Sequence, residues 1–225
     1  MSPLIFHGKL PVGALVRPDQ ASSLLPAPPP IWFRARNADS VVLGPDGKLL
    51  HWTAGAHFAR PVKYNNSTSI FDPYKGALRF SSAAHAGLAV DDALPDASRF
   101  SFAVILHATA QDPRTLVTVQ MPDGGDYLFL SGDAGSFRLA MKSGDEVAAV
   151  TNPGGAILLS VAVAGQNVCL ALNDLPPVTG KMGPLSGPAR LFLGCRGDSR
   201  SLMNKIGCFD LFDVMIWPGM DVLQG

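Results

Sequence analysis

Leu159-Ser160-Val161-Ala162-Val163-Ala164-Gly165-Gln166-Asn167-Val168-Cys169-Leu170-Ala171-Leu172-Asn173 is two short apolar runs joined by Gly-Gln-Asn and closed by Asn173-Asp174. Runs of this length bounded by turn-forming residues suit strands, and two of them so joined read as a hairpin. The same punctuation continues outward in both directions. Ala77 to Phe80, Phe100 to Ala108, Leu116 to Met121, Tyr127 to Leu130, Phe137 to Lys142, Val147 to Val150, Arg190 to Leu193 and Phe209 to Trp217 are all short apolar stretches. They are interrupted by Asp123-Gly124-Gly125-Asp126, Gly132-Asp133-Ala134-Gly135 and Ser143-Gly144-Asp145. Strands at a spacing of roughly 8–12 residues predict an all-β sandwich.

Alternation sorts the faces. Phe100, Phe102, Val104 and Leu106 share one side of their strand, and Ser101, Ala103, Ile105 and His107 the other. Phe137, Leu139 and Met141 likewise oppose Arg138, Ala140 and Lys142, the pattern of a strand with one wet face. Phe209 to Trp217 is apolar on both faces at its end, which predicts a central strand covered on both sides, with the N-terminal arm as the candidate cover. The expected core includes Phe100, Phe102, Val104, Leu159, Val161, Val163, Phe192, Leu211 and Trp217.

Composition points the same way. Glu146 is the sole glutamate among 18 acidic residues, whereas helices use glutamate freely on exposed faces. With 23 glycines and 19 prolines the chain is rich in turn-makers instead. Its 225 residues suffice for one large sandwich. Lys and Arg number 18 against 18 acids and form no run or stripe, so nothing argues for nucleic acid. No window reaches the roughly 18 apolar residues of a membrane span, and Met1 to Lys9 lacks the charged-then-apolar order of a signal peptide. The expectation is a chain made in the cytoplasm, without membrane insertion. Cys169, Cys195 and Cys208 lie in or beside apolar strands without metal-ligand spacing and read as small core residues, a disulfide being the alternative.

Residues 1–40 differ from residues 41–225. Seven prolines, among them Pro28-Pro29-Pro30, punctuate a segment carrying Ile5, Phe6, Leu24, Leu25, Ile31, Trp32 and Phe33. Proline forbids regular pairing, yet the apolar content is too high for a solvated tail. The segment reads as an extended arm that lies on a surface, either its own sandwich or a neighbouring subunit or particle. Residues 41–225 form the expected sandwich domain. It begins with Val41-Val42-Leu43, the turn Gly44-Pro45-Asp46-Gly47 and the strand Lys48 to Trp52, followed by an irregular connection from Lys63 to Lys75.

The order Ala77-Leu78-Arg79-Phe80, Gly87-Leu88-Ala89-Val90, Phe100 to Val104, the 159–173 hairpin, Arg190-Leu191-Phe192-Leu193-Gly194 and Gly207-Cys208-Phe209-Asp210 resembles the concanavalin A-like lectin/glucanase superfamily, in particular its laminin-G-like members. The resemblance implies a two-sheet antiparallel jelly roll, often binding carbohydrate or protein through one sheet or the rim loops, sometimes with calcium. It also implies a test. The laminarinase-like members carry paired glutamates in a Glu-x-Asp-x-Glu order, and a retaining glycosidase needs two carboxyls about 5–5.5 Å apart. A chain whose only glutamate is Glu146 lacks that site, so no enzymatic activity and no catalytic residue are expected. Overall make-up further resembles head-spike and appendage proteins of phage-like gene transfer agents, a likeness of type and not of motif.

Other chemistry finds no motif: no nucleophile elbow, phosphate loop or His-Glu-x-x-His is present. His7, His51, His57, His85 and His107 are scattered and imply no metal site. Asp91, Asp92 and Asp96 form either a calcium corner or an Asp-rich turn, and no cofactor is expected. A saccharide site needs exposed aromatics with amides and carboxylates around them. Tyr64, Asn65, Asn66 and Tyr74 on one connection are the expected set, with Trp52, Tyr127 and Asp72 as further candidates. The functional expectation is a non-catalytic appendage subunit of a virion-like particle. It would be attached through its arm to copies of itself and to particle proteins, presenting a lectin-like domain to cell-surface polysaccharide. A stand-alone lectin or adhesin is the alternative.

Overall fold

The computed structural model describes residues 28–63, 70–81, 86–108, 113–122, 125–133, 135–199 and 206–223. It is a sandwich of two antiparallel sheets with jelly-roll connections, as the punctuation implied. In one sheet β15 (Val178–Lys181), β14 (Asn167–Leu172), β13 (Ala156–Ala164), β8 (Arg99–Ala108) and β17 (Phe209–Pro218) lie side by side. They are followed by β6 (Ala77–Phe80) and β5 (Phe71–Asp72), with β1 (Ile31–Arg34) also on β17. The second sheet runs β12 (Glu146–Thr151), β11 (Ser136–Met141), β10 (Tyr127–Gly132), β9 (Arg114–Gln120), β16 (Ala189–Leu193), β7 (Leu88–Leu94), β4 (His57–Pro61), β3 (Leu49–Ala54) and β2 (Val41–Leu43).

The period-two pattern of β8 is realised in full. Phe100, Phe102, Val104 and Leu106 point between the sheets, and their partners Val163, Val161, Leu159 and Ile157 on β13 do the same. Val117, Leu128, Leu139 and Leu191 meet them from the second sheet. Each such side chain withdraws enough apolar surface to contribute about 1.5–3 kcal/mol. The 159–173 hairpin closes as read, with Gly165 at φ +62° in the turn between Ala164 and Asn167, where a residue without Cβ meets no steric penalty.

β17 is the central strand expected from its two apolar faces. β8 flanks one edge along its length; on the other edge β6 pairs with Phe209–Leu211 and β1 with Asp213–Ile216, end to end. A register shift between Leu211 and Asp213 lets Phe212 bulge toward the outer side. Among the described residues, Met215 and Trp217 pack against Ala103, Ile105 and Val222 of the sheet and the C-terminal turn, with Leu223 and, from the segment read as the arm, Trp32 at the margin of this outer cluster. Ser101 fixes that turn, its Oγ donating to the Met220 carbonyl at 2.8 Å and accepting the Val222 N–H at 3.0 Å.

Ile31, Trp32 and Phe33, read with the arm, form β1, and Ile31 and Phe33 are buried in the core of their own sandwich, so this part of the segment lies on its own domain. A four-residue strand directly after Pro30 is too short to show a period. Ile5, Phe6, Leu24 and Leu25 lie outside the described residues.

Candidate functional site

The outer face of the sheet containing β17 carries a cleft of about 750 Å³ beside the β5–β6 hairpin. Two outward side chains stand in register across its floor, His107 on β8 and Asp210 on β17, and Arg79 on β6 continues the row into a smaller adjoining cleft. Phe212, displaced by the bulge, joins Arg36 in the wall, and Gly155 and Ala156 at the start of β13 form the opposite bank.

Tyr74 stands at the rim because of local chemistry. Asp72 ends β5, and its Oδ1 accepts the backbone N–H groups of Tyr74 at 3.1 Å and Lys75 at 3.2 Å, an Asx-type turn. Gly76 then adopts φ +59° so that the chain can enter β6. The tyrosine at the tip of this turn is 100% exposed. It borders the large cleft on one side and a smaller one of about 270 Å³ on the other.

The charged groups are connected. Asp210 is 1% exposed, and its carboxylate accepts from Lys75 Nζ at 2.7 Å and Arg79 Nε at 3.1 Å. Arg79 Nη2 also reaches Asp72 at 3.0 Å. A buried carboxylate without such partners would cost several kcal/mol, so these contacts clamp the hairpin to β17. Both Asp210 oxygens are thereby engaged. Arg36 differs: its guanidinium lies 5.7 Å from the centroid of Phe212, and among the described residues it has no hydrogen bond or ion pair. The His107 ring has no hydrogen-bond partner among them either.

Of the residues expected to bind saccharide, Tyr74 lies at the cleft, while Tyr64, Asn65 and Asn66 fall outside the described residues. The root of their connection is fixed, since Lys63 N–H donates to Asp198 at 2.6 Å. The further candidates resolve differently. Trp52 is fully buried, packed on Phe33 at 5.2 Å with its indole N–H donating to Ser40 Oγ, and Tyr127 is buried beside Phe129. Asp72 serves as the turn anchor. Arg36, His107 and Phe212 were missed because nothing local marks them; only strand pairing and the bulge bring them together.

The remaining expectations also find places. Asp91 binds Arg60 at 2.7 Å and approaches Arg190, and Asp96 accepts the Ser98 hydroxyl and then the N–H groups of Ser98 and Gly187, which hold its carboxyl below the usual carboxylate range. Asp91 and Asp92 therefore lie within β7 and not in the expected turn, and only Asp96 anchors one. No group of three metal-binding side chains occurs among the described residues. Cys169, Cys195 and Cys208 are not in a disulfide, and burial pushes the Cys195 thiol up to about 12. Glu146 opens β12 in the other sheet, its carboxylate 3.6 Å from Arg138.

No protein-family model matches the chain, and no curated protein does. Solved structures do match in fold. Domain 4 of AbnA, an extracellular GH43 arabinanase from Geobacillus stearothermophilus determined with arabinotriose, superposes with a TM-score of 0.54 at 12% identity, covering 86% of this chain and 93% of that one. A mutant Trypanosoma rangeli sialidase displaying trans-sialidase activity superposes with a TM-score of 0.56 at 10% identity over 93% of this chain. Only 34% of the sialidase chain is covered, so this chain spans about a third of that enzyme's length. At these identities the likeness is one of fold, a class that houses binding domains and enzymes alike.

Proposed function

We propose that this chain is a lectin-like, glycan-binding module that recognises saccharide at the cleft beside Tyr74 and does not cleave it. The observation that carries the reading is Tyr74 itself: a fully exposed ring, its backbone fixed by the Asp72 turn, at the boundary of two clefts. A volume of about 750 Å³ lies within the range of ligand sites, which combine apolar walls with a few convergent polar groups. Phe212 supplies the wall; Lys75, Asp210, His107 and Arg36 supply the polar groups. Most glycoside hydrolases divide the work between two carboxyls. Glu146 lies in the other sheet, and Asp210 is committed to Lys75 and Arg79.

The test is a glycan array probed with the wild-type chain and with Tyr74→Ala. Binding to a restricted set of glycans, lost in the variant, supports the reading; an array without binding, or binding indifferent to Tyr74, defeats it.

A sequence observation favours a particular mounting for this module. Residues 1–27 combine proline with Ile5, Phe6, Leu24 and Leu25, and β1 pins the chain to β17 directly after Pro30. A stiff proline lead loses little entropy on docking. The arm then fixes the module to copies of itself and to neighbouring proteins on the surface of a phage-like particle, where it presents the cleft to cell-surface polysaccharide. The contrasting case is a stand-alone lectin. Deleting residues 1–27 tests the choice: a module that still binds glycan but no longer co-sediments with particles supports the mounting, and unchanged attachment or a self-sufficient monomer opposes it.

A further inference from the structure

The cleft distributes its charge unevenly, and this carries the proposed function one step further. Asp72, Arg79, Asp210 and Lys75 form a closed chain in which every charge has a counter-charge within 3.1 Å. Arg36 stands outside that chain, beside the same cavity, with no ion pair among the described residues. The protein as a whole is neutral, with 18 basic and 18 acidic residues, so the Arg36 guanidinium, whose charge is felt by the buried Asp213 but which is hydrogen-bonded to no described side chain, is not part of a generally basic surface.

Its position is also constrained. A Cβ placed on Gly76 would come within 2.7 Å of Arg36 Cγ and 3.2 Å of Arg36 Cα. The hairpin therefore packs its one glycine, already at φ +59°, against the stem of Arg36, and any larger residue would displace it. The Phe212 ring flanks the guanidinium from another side. His107 adds a ring nitrogen without a partner among the described residues.

Resting on the glycan reading, we propose that the ligand is an acidic saccharide whose carboxylate is received by Arg36 while a sugar ring stacks on Tyr74. A guanidinium presents a planar fork of donors that matches a carboxylate in two parallel hydrogen bonds, which a neutral hydroxyl cannot reproduce. Arg36 is thus the specificity-determining residue, and Gly76 is its positioning residue.

The experiment is calorimetric titration of the full chain with an oligogalacturonate, a hyaluronan oligosaccharide and sialyllactose, each paired with its carboxyl-reduced form. At least one acid should bind roughly ten-fold or more tightly than its reduced counterpart, the size expected of a charge-assisted contact. Arg36→Gln should close that gap by weakening the acid and leave affinity for the reduced form unchanged, whereas Lys48→Gln, a cation in the β2–β3 turn of the other sheet, should leave the gap intact. Equal binding of acid and reduced forms, or a gap that survives Arg36→Gln, overturns the assignment while the glycan reading stands. Failure of every pair to bind, or binding unaffected by Tyr74→Ala, defeats the glycan reading and the inference with it.

Discussion

The indole N–H of Trp32 donates to Oδ1 of Asp213 at 3.0 Å across the β1–β17 ladder. The other carboxylate oxygen, Oδ2, is buried without a hydrogen-bond partner. This pair holds the first described strand on the central one, and it sets an expected pH dependence. Burial pushes the Asp213 carboxyl up to about 6; the Trp32 hydrogen bond and the nearby Arg34 and Arg36 charges pull the other way and are outweighed. A raised carboxyl binds its proton more tightly in the folded than in the unfolded chain. Its contribution is therefore most favourable below the ordinary value of 3.8 and is lost as pH rises from about 4 through about 6. The loss is at most about 3 kcal/mol. Denaturant titrations at several pH values should show this decline, and Asp213→Asn should flatten it relative to wild type. Parallel profiles for the two proteins would mean that Asp213 is solvated.

Tyr74→Ala should leave stability within about 0.5 kcal/mol of wild type, because the removed ring is wholly exposed. Glycan affinity should fall roughly ten-fold or more, as for an aromatic at the centre of a contact. Thermal melting and titration of the same preparation separate the two effects.

Truncation distinguishes arm from domain. Removing residues 1–27 should leave a cooperative sandwich. Removing residues 1–34 also deletes β1 and with it Ile31 and Phe33, buried at 3% and 0% exposure, for a loss on the order of 3–6 kcal/mol. Equal melting temperatures for the two truncations would contradict the placement of β1.

Gly76→Ala should both destabilise the hairpin, by on the order of 1–2 kcal/mol for a left-handed residue, and move Arg36. Its signature is a selective loss of affinity for acidic ligands, measured beside Arg36→Gln.

Glu146→Gln should change neither stability nor binding measurably. Its carboxylate is half exposed, and its ion-pair partner among the described residues, Arg138, is bonded to Asp133 as well. A glycan-cleaving activity abolished by this substitution would refute the non-catalytic reading.

Much of the fold was legible because strand period and turn residues are local signals. Phe102 and Val104 alternate with Ala103 and Ile105, and the structure places them on opposite faces as read. Phe192 and Trp217 are buried as expected, though in small outer clusters and not between the sheets. Short or polar strands gave no such signal. β1 and β5 have too few residues to show a period, β4 holds His57 and Arg60, and β7 continues through Asp91-Asp92, which reads as a turn until Arg60 and Arg190 are seen to neutralise Asp91. At the site, Tyr74 was recognisable as an aromatic in a polar connection. His107, Asp210 and Arg79 were not, since they meet only through the pairing of strands distant in sequence.

The measurement that bears most directly on the central claim is a crystal structure of the chain with the oligosaccharide that binds it most tightly. It should show a sugar ring lying against Tyr74, with the ligand filling the cleft over His107 and Asp210 and no broken glycosidic bond. A ligand seated instead on the other sheet, for example around Phe58 and Arg60, with Tyr74 bare, would contradict the account.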